Sequence, residues 1–391
     1  MKIPFYHLIP FYEPLTNQWN FEARLIRWLT FVWLFVGLIA LFSASYAEGL
    51  KISGNGWYHF TRQIIWITVA LLFSKIIYRT PIKKILLFSP FLYYFVLALV
   101  MLTILGLGEE VNGAERWLRL GTVTIQPSEF MKPLIVLQGA YIFGTWQRQS
   151  NGSRIIWLGT FAMTLVIILA QPNLSTTALC GMMFWFIALG AGLPFWQLGS
   201  VAVGGIAMAV FSISINSYQL RRITSFRDPW SDMRGDGYQL SQSLLAIGSG
   251  QGWGAGFGMS QQKLFYLPIQ YTDFIFSVFA EEFGFVGGVI LIMMLMIYAT
   301  ISLVISIKSV HPVNRLVALG VMVILVGQAL LNIGVATGAL PTTGVPFPMF
   351  SYGGSSVTSS VILTALLIRV AIEIEPDSDS DDDLVYRPIN N

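Results

Sequence analysis

Phe283-Gly-Phe-Val-Gly-Gly-Val-Ile-Leu-Ile-Met-Met-Leu-Met-Ile-Tyr-Ala-Thr-Ile-Ser-Leu-Val-Ile-Ser306 contains no charged residue. A helix needs about 20 apolar residues to cross the hydrocarbon core of a bilayer, so this stretch reads as a membrane span. It belongs to a longer apolar run, 273–306, long enough to be tilted or partly outside the bilayer. Working outward, comparable runs occupy roughly 26–45, 63–79, 85–107, 127–146, 155–171, 175–190, 197–216, 315–336 and 355–372. The run at 197–216 is the weakest of the ten because it is rich in glycine. The 391 residues are 55% hydrophobic and 11% charged, against about 25% charged in an ordinary soluble domain. That balance excludes a water-soluble globule and leaves no room for a separate soluble domain of any size. The expected fold is an all-α polytopic membrane protein of about ten transmembrane helices with one large extracytoplasmic loop. Twelve Trp and 15 Tyr suit the aromatic belts at the two interfaces.

Charge gives the sidedness. The short connector from Lys75 to Lys84 holds four cations and no acid, and cationic short loops stay in the cytoplasm. An even number of spans then puts both termini on that side. The opposite face receives three polar stretches, 108–126, 217–272 and 337–354, and chemistry is expected there, on loops held by a rigid scaffold. The organisation expected is a cytoplasmic tail 1–25, a membrane domain 26–372 with its great loop at 217–272, and an acidic cytoplasmic tail 373–391. Seven of the 20 acids lie in that last tail, which reads as a solvated extension. The first 20 residues lack an apolar core, so the first span is expected to direct insertion. Cys180, the single cysteine, excludes an intrachain disulfide and a cysteine-based metal cluster. The ten spans do not divide into matching halves, as those of inverted-repeat carriers do.

The polar stretches carry motifs. They are Gly113-Ala-Glu-Arg-Trp-Leu118 leading into Ile125-Gln-Pro-Ser-Glu-Phe-Met-Lys132, then Gln171-Pro-Asn-Leu174, then Gly237-Tyr-Gln-Leu-Ser-Gln-Ser-Leu-Leu-Ala-Ile-Gly-Ser-Gly250. After these come Tyr266-Leu-Pro268, Thr272-Asp-Phe-Ile-Phe276 and Leu340-Pro-Thr-Thr-Gly-Val-Pro-Phe-Pro-Met-Phe-Ser-Tyr-Gly-Gly-Ser-Ser356. Through them nearly the whole chain resembles the SEDS family, the FtsW/RodA type of bacterial cell-wall protein. Asp228-Pro-Trp230 and Ser260-Gln-Gln-Lys263 look more like its division branch than its elongation branch. The chain departs from the family pattern at Asn173, Ser175, Ile269 and Tyr271, so it offers no acid at 173 or 269 and no histidine at 271. The resemblance implies a peptidoglycan glycosyltransferase in the bacterial inner membrane that joins lipid II disaccharides into glycan strands during septal wall synthesis. It also implies a class B penicillin-binding protein and other division proteins as partners. No nucleic-acid partner is expected.

Such a reaction displaces a lipid-linked pyrophosphate from an anomeric carbon by a sugar hydroxyl. It needs a base for the hydroxyl proton and positive charge for the departing pyrophosphate. Asp273 stands where the great loop turns into the eighth span, at the position of the family's catalytic aspartate; a helix cap is the alternative. Glu129 and Lys132, three apart on the fourth span, share a face. An ionisable group within a span costs about 2.5 to 3.5 kcal/mol, so they should point inward, either as a pyrophosphate contact with its partner or as a structural ion pair. Arg116 beside Trp117 suits phosphate binding with an aromatic wall, or interfacial anchoring. Arg221, Arg222, Arg227 and Lys263 make the great loop basic, either for an anionic headgroup or to balance Asp228, Asp232 and Asp236.

The glycines alternating from Gly248 to Gly258 lack the strand and the Gly-Lys-Ser/Thr ending of a nucleotide loop. They are read instead as a place of close backbone packing. Ser351 to Ser356 forms either a polar lining or a turn into the last span. At about 100° per residue, Glu281 lies about 80° from Asp273 and Glu282 about 180°, so Glu281 alone is expected to share a cavity with it. His7, His59 and His311 form no triad. A divalent cation such as Mg or Mn would be held by Asp273, substrate phosphates and water. A lipid II flippase or other transporter, and a scaffold without chemistry, are the competing functions. A transporter should place its ionisable groups at the midplane on broken helices, whereas here the strongest acid lies at an outer helix mouth.

Overall fold

The computed structural model describes Glu13, Thr16 and residues 18–111, 114–121, 123–171 and 173–374. The acidic tail from Glu375 onward and most of the N-terminal tail lie outside the described residues. The helices are α1 (Phe21–Ser53), α2 (Tyr58–Arg79), α3 (Ile82–Leu102), α4 (Pro127–Gly144), α5 (Asn151–Ala170), α6 (Leu174–Gly190), α7 (Phe195–Ile215), α8 (Ser217–Arg227), α9 (Tyr238–Gly250), α10 (Ile275–Lys308), α11 (Pro312–Ala336) and α12 (Gly354–Ile372). Each of the ten expected runs coincides with a helix: α1 to α7 and α10 to α12. Eight of these are long and apolar enough to cross a membrane by length and composition. The other two are α6, which has 17 residues, and α4, which carries Glu129 and Lys132. The protein is a polytopic helical membrane protein.

Two of the polar stretches carry secondary structure. α8 and α9 lie within 217–272. Within 108–126, β1 (Glu109–Val111), β2 (Ala114–Leu120) and β3 (Val123–Ile125) form a three-stranded antiparallel sheet in the order β1-β2-β3. Strand-forming Trp, Val, Thr and Ile favour this pairing, and Gly121, at φ 64°, begins the tight turn between β2 and β3.

Burial grades from centre to rim. α11 and α12 are buried over most of their length, whereas α7 leaves Phe195, Trp196, Val203, Ile206 and Phe211 exposed. An apolar helix with an open apolar surface fits contact with lipid. Within the core, Trp33 of α1 packs edge-on to Tyr298 of α10 with ring centres 5.1 Å apart. The Tyr298 hydroxyl lies 3.0 Å from Thr364 Oγ1 on α12, which satisfies the polar tip of a buried ring.

α10 breaks at Gly284, whose φ of 66° and ψ of −166° only glycine adopts readily. The break leaves backbone groups of its first turns without helical partners, and the glycine run supplies them. Ala255 N donates to Glu281 O at 2.9 Å and Gly256 N to Glu282 O at 3.1 Å. In return Phe285 N donates to Gln251 O at 2.8 Å and Val286 N to Gly252 O at 3.1 Å. A Cβ on Gly250 or Gly254 would strike the α10 backbone at Ala280 or Glu282. Close packing of the glycine run is therefore what the structure displays. Beyond the break, Phe285 to Lys308 is about 36 Å long at 1.5 Å per residue, enough to span unaided.

Two carboxylates next to the break tie down the rest of the loop. Glu281 accepts from Ser260 Oγ, from Gln261 N at 3.0 Å and from Gln262 N at 3.3 Å. Glu282 Oε1 is 2.7 Å from Lys263 Nζ, and both meet Ser43 Oγ of α1, at 2.6 and 2.8 Å. Lys263 is buried, as is Glu282. Removing one member of a buried pair strands the other charge, at a cost of about 3 to 5 kcal/mol. Lys263→Met should therefore lower the thermal unfolding midpoint of the purified protein sharply, and adding Glu282→Leu should recover most of the loss. An unchanged midpoint in the single variant would show that the pair does not hold the loop.

Candidate functional site

Asp273 lies just before α10, in a turn whose backbone is fixed from three sides. Asn332 Nδ2 of α11 donates to Asp273 O at 2.8 Å and to Val345 O at 2.9 Å. Ser351 Oγ donates to Thr272 O at 2.5 Å, and Tyr352 N to Tyr271 O at 2.9 Å. The Leu340 to Ser356 motif thus works as the seat of the Asp273 turn, and its Ser351 to Gly353 part also leads into α12. The residue at the head of α10 is Phe274, and no side chain caps that helix. The cap reading of Asp273 therefore finds no bond to support it. Asp273 Oδ2 faces Gly344, where a Cβ would stand 3.6 Å away.

Gly344 borders a cavity of about 220 Å³ that Arg116, Asn173, Gln219, Arg222 and Thr342 also line. Arg116, on β2, donates through Nε to Gln171 O at 2.9 Å. Arg222, on α8, donates to Thr342 O at 3.3 Å. The Gln171-Pro-Asn-Leu motif makes the α5 to α6 turn: Gln171 offers its carbonyl to Arg116, and Asn173 Oδ1 caps α6 by accepting from Thr176 N at 3.3 Å. Asp273 is half-buried and does not itself line the cavity; Gly344 stands between them. Burial pushes its carboxyl up to about 6, while Arg222 and then Arg116 pull the other way. A carboxylate with raised proton affinity, bare of hydrogen bonds among the described residues and flanked by two guanidinium groups, can take a proton from a hydroxyl beside a bound polyanion.

The other sequence candidates fall elsewhere. Glu281 does not join Asp273, because α10 begins after Asp273 and the helical angle between them never applies; its carboxylate holds residues 260–262. Lys263 is not part of a cationic surface but is paired inside with Glu282. Lys132 Nζ lies 2.7 Å from Glu129 Oε1 and 2.8 Å from Gln328 Oε1. Gln328 Nε2 in turn donates to Pro346 O at 2.7 Å, so Glu129 and Lys132 form a buried ion pair within α4 that Gln328 ties to α11. Arg221 is exposed and 3.5 Å from Asp236, which is the charge-balancing alternative. Gln219, Thr342 and Gly344 are not singled out by the sequence, although the last two sit in a quoted motif, and Asn173 stands out there only as a departure from the family pattern. Gln219, on α8, has no such signal. Among the described residues no group of three His, Cys, Asp or Glu could hold a metal ion. A divalent cation beside Asp273 would draw most of its ligands from substrate phosphates and water.

Asp273→Asn preserves size and removes the proton acceptor. The polymerisation that the family resemblance implies should fall about 10² to 10⁴-fold in a protein that still folds. In the wild type, the rate should drop as pH falls through about 6, because the base is then protonated. Arg222→Gln removes a cation that favours the ionised form, so this acidic limb should move to higher pH. Near-normal strand synthesis by a folded Asp273→Asn variant would remove Asp273 from the chemistry.

Comparison with known proteins bears on the family and the fold. The cell cycle protein family FtsW/RodA/SpoVE matches residues 23–375. A probable peptidoglycan glycosyltransferase FtsW from Synechocystis sp. is 57% identical over 366 residues, covering 94% of this chain and 93% of that protein. Its counterpart from Escherichia coli O157:H7 is 34% identical, covering 93% and 88%. Among solved structures, a peptidoglycan synthase complex that coordinates polymerisation and crosslinking contains a chain with a TM-score of 0.68 at 26% identity, covering 88% of this chain and 98% of that one. The rod shape determining protein RodA of Thermus thermophilus gives 0.67 at 25% identity, covering 92% and 98%. With a match over nearly its full length, this chain belongs to the FtsW/RodA/SpoVE family.

Proposed function

We propose that the protein is the peptidoglycan glycosyltransferase of septal wall synthesis, with Asp273 as general base and lipid II as its substrate. The observation that carries this reading is the carboxylate of Asp273, raised in proton affinity and uncapped, beside a cavity lined by Arg116 and Arg222. Asp273 accepts the proton of the acceptor hydroxyl as its oxygen bonds to the anomeric carbon of the donor sugar. The bond from that carbon to the pyrophosphate oxygen breaks, and Arg116 and Arg222 stabilise the negative charge that leaves. Asn173, Gln219 and Thr342 offer hydrogen bonds for sugar hydroxyls. A transporter would work with charges in mid-span, but Glu129 and Lys132, the ionised groups within α4, are bonded to each other.

The complex among the structural relatives supports pairing with a crosslinking partner, here a class B penicillin-binding protein within the division machinery. Purified protein given labelled lipid II should make glycan strands at least tenfold faster with that partner than alone. Full activity alone would contradict the partner requirement, and no strands under either condition would remove the glycosyltransferase reading.

The Lys75 to Lys84 connector supports cytoplasmic termini, an orientation in which Asp273 and the cavity would face outward. Reporter fusions after residues 240 and 385 should report opposite sides of the membrane; the same side for both would overturn this orientation.

A further inference from the structure

His59 sits in the first turn of α2 and is only 4% exposed, yet among the described residues neither ring nitrogen has a hydrogen-bond partner. Buried polar atoms normally find partners, so something other than hydrogen bonding holds this ring. Its contacts are aromatic. The Tyr271 ring lies 4.7 Å away at 32°, and the Tyr352 ring 4.7 Å away at 79°. Tyr58 meets it edge-on at 5.1 Å.

The two tyrosines that grip His59 are the ones that build the Asp273 turn. Tyr352 N donates to Tyr271 O at 2.9 Å, and Tyr271 is two residues ahead of Asp273. One helical turn along α2, on the same face, Gln63 donates to Ser351 O at 3.1 Å and accepts from Gly353 N at 3.2 Å. The outer turn of α2 therefore holds the Tyr271 and Tyr352 segments together, through a ring at His59 and an amide at Gln63.

We propose that His59 is a positioning residue for Asp273, its imidazole acting as an aromatic wedge packed against the touching rings of Tyr271 and Tyr352, whose centres lie 5.9 Å apart, and so setting the turn on which the carboxylate stands. The wedge works by shape and ring contact, worth more than simple area burial for well-placed aromatic pairs, and not by proton transfer. A phenyl ring keeps the flat aromatic shape and is only slightly larger, so it should fit with slight crowding. The functional half of this proposal rests on Asp273 as the base; the structural half does not.

The test compares wild type, His59→Ala and His59→Phe in two measurements. Backbone hydrogen exchange of the peptide covering 269–274 should quicken about tenfold in His59→Ala and return to within about threefold of wild type in His59→Phe. With lipid II and the partner transpeptidase, His59→Ala should lose about tenfold in kcat with KM changed less than twofold, and His59→Phe should restore most of kcat. Should His59→Ala not fold, His59→Leu replaces it with the same expectations, since it fills the volume without a ring. Unchanged exchange and kcat in the variant lacking the ring would overturn the proposal, as would a His59→Phe variant as impaired as His59→Ala. If the wild type makes no strands, the fault lies with the assigned reaction, and exchange at 269–274 alone decides for or against the wedge.

Discussion

The pairing of the glycine run with the broken start of α10 sets the position of everything around Asp273. A backbone group in an apolar membrane body cannot turn to water, so a break in a helix is tolerated only where protein supplies the missing partners. At Gly284 those partners are the N–H and C=O groups of 251, 252, 255 and 256. The backbones must approach closely for this, and side chains at Gly250 and Gly254 would prevent it. Once the pairing is made, Glu281 and Glu282 meet residues 260–263, and the chain that returns toward Asp273 has its course fixed.

The charges within the protein then sort into two kinds. Glu129 with Lys132, and Glu282 with Lys263, are buried and bonded to each other and to Gln328 or Ser43. Buried pairs of this sort contribute little net stability over apolar residues but are costly to break, so they serve best as fixed joints between helices. Arg116 and Arg222 are different, because their anchors are backbone carbonyls and they line the cavity beside a carboxyl whose proton affinity they temper. In the reaction proposed above, fixed cations beside Asp273 would need no reorganisation when pyrophosphate departs, which is the condition for electrostatic stabilisation of a transition state.

The quoted sequence motifs act as joints between elements. Gln171 binds Arg116 by its carbonyl, and its side-chain amide reaches Val100 O and Thr103 Oγ1 at the end of α3. Ser351 and Tyr352 hold the backbone of Thr272 and Tyr271. Gln63 and His59, outside every quoted motif, brace the same turn from α2. The reactive atoms are few, and most of the polar residues at this end serve to place them.

Hydropathy located the ten helices and their order, eight of them long and apolar enough to cross a bilayer, because a helix is the way a single segment satisfies its own backbone there. Asp273 was legible from its place in the Thr-Asp-Phe motif, and Arg116 from its neighbours in β2. Only the tertiary structure decided which charges meet. Glu281 and Lys263 were assigned to the site on a continuous helix and on an open loop, and the break and start of α10 turned both inward. Arg222, Thr342 and Gly344 come to Asp273 from α8 and from the segment before α12, across a bundle whose contacts link residues far apart in the chain. Helical periodicity relates side chains along one helix only; which faces of different helices and loops converge is fixed by packing, and packing is not written in any single segment.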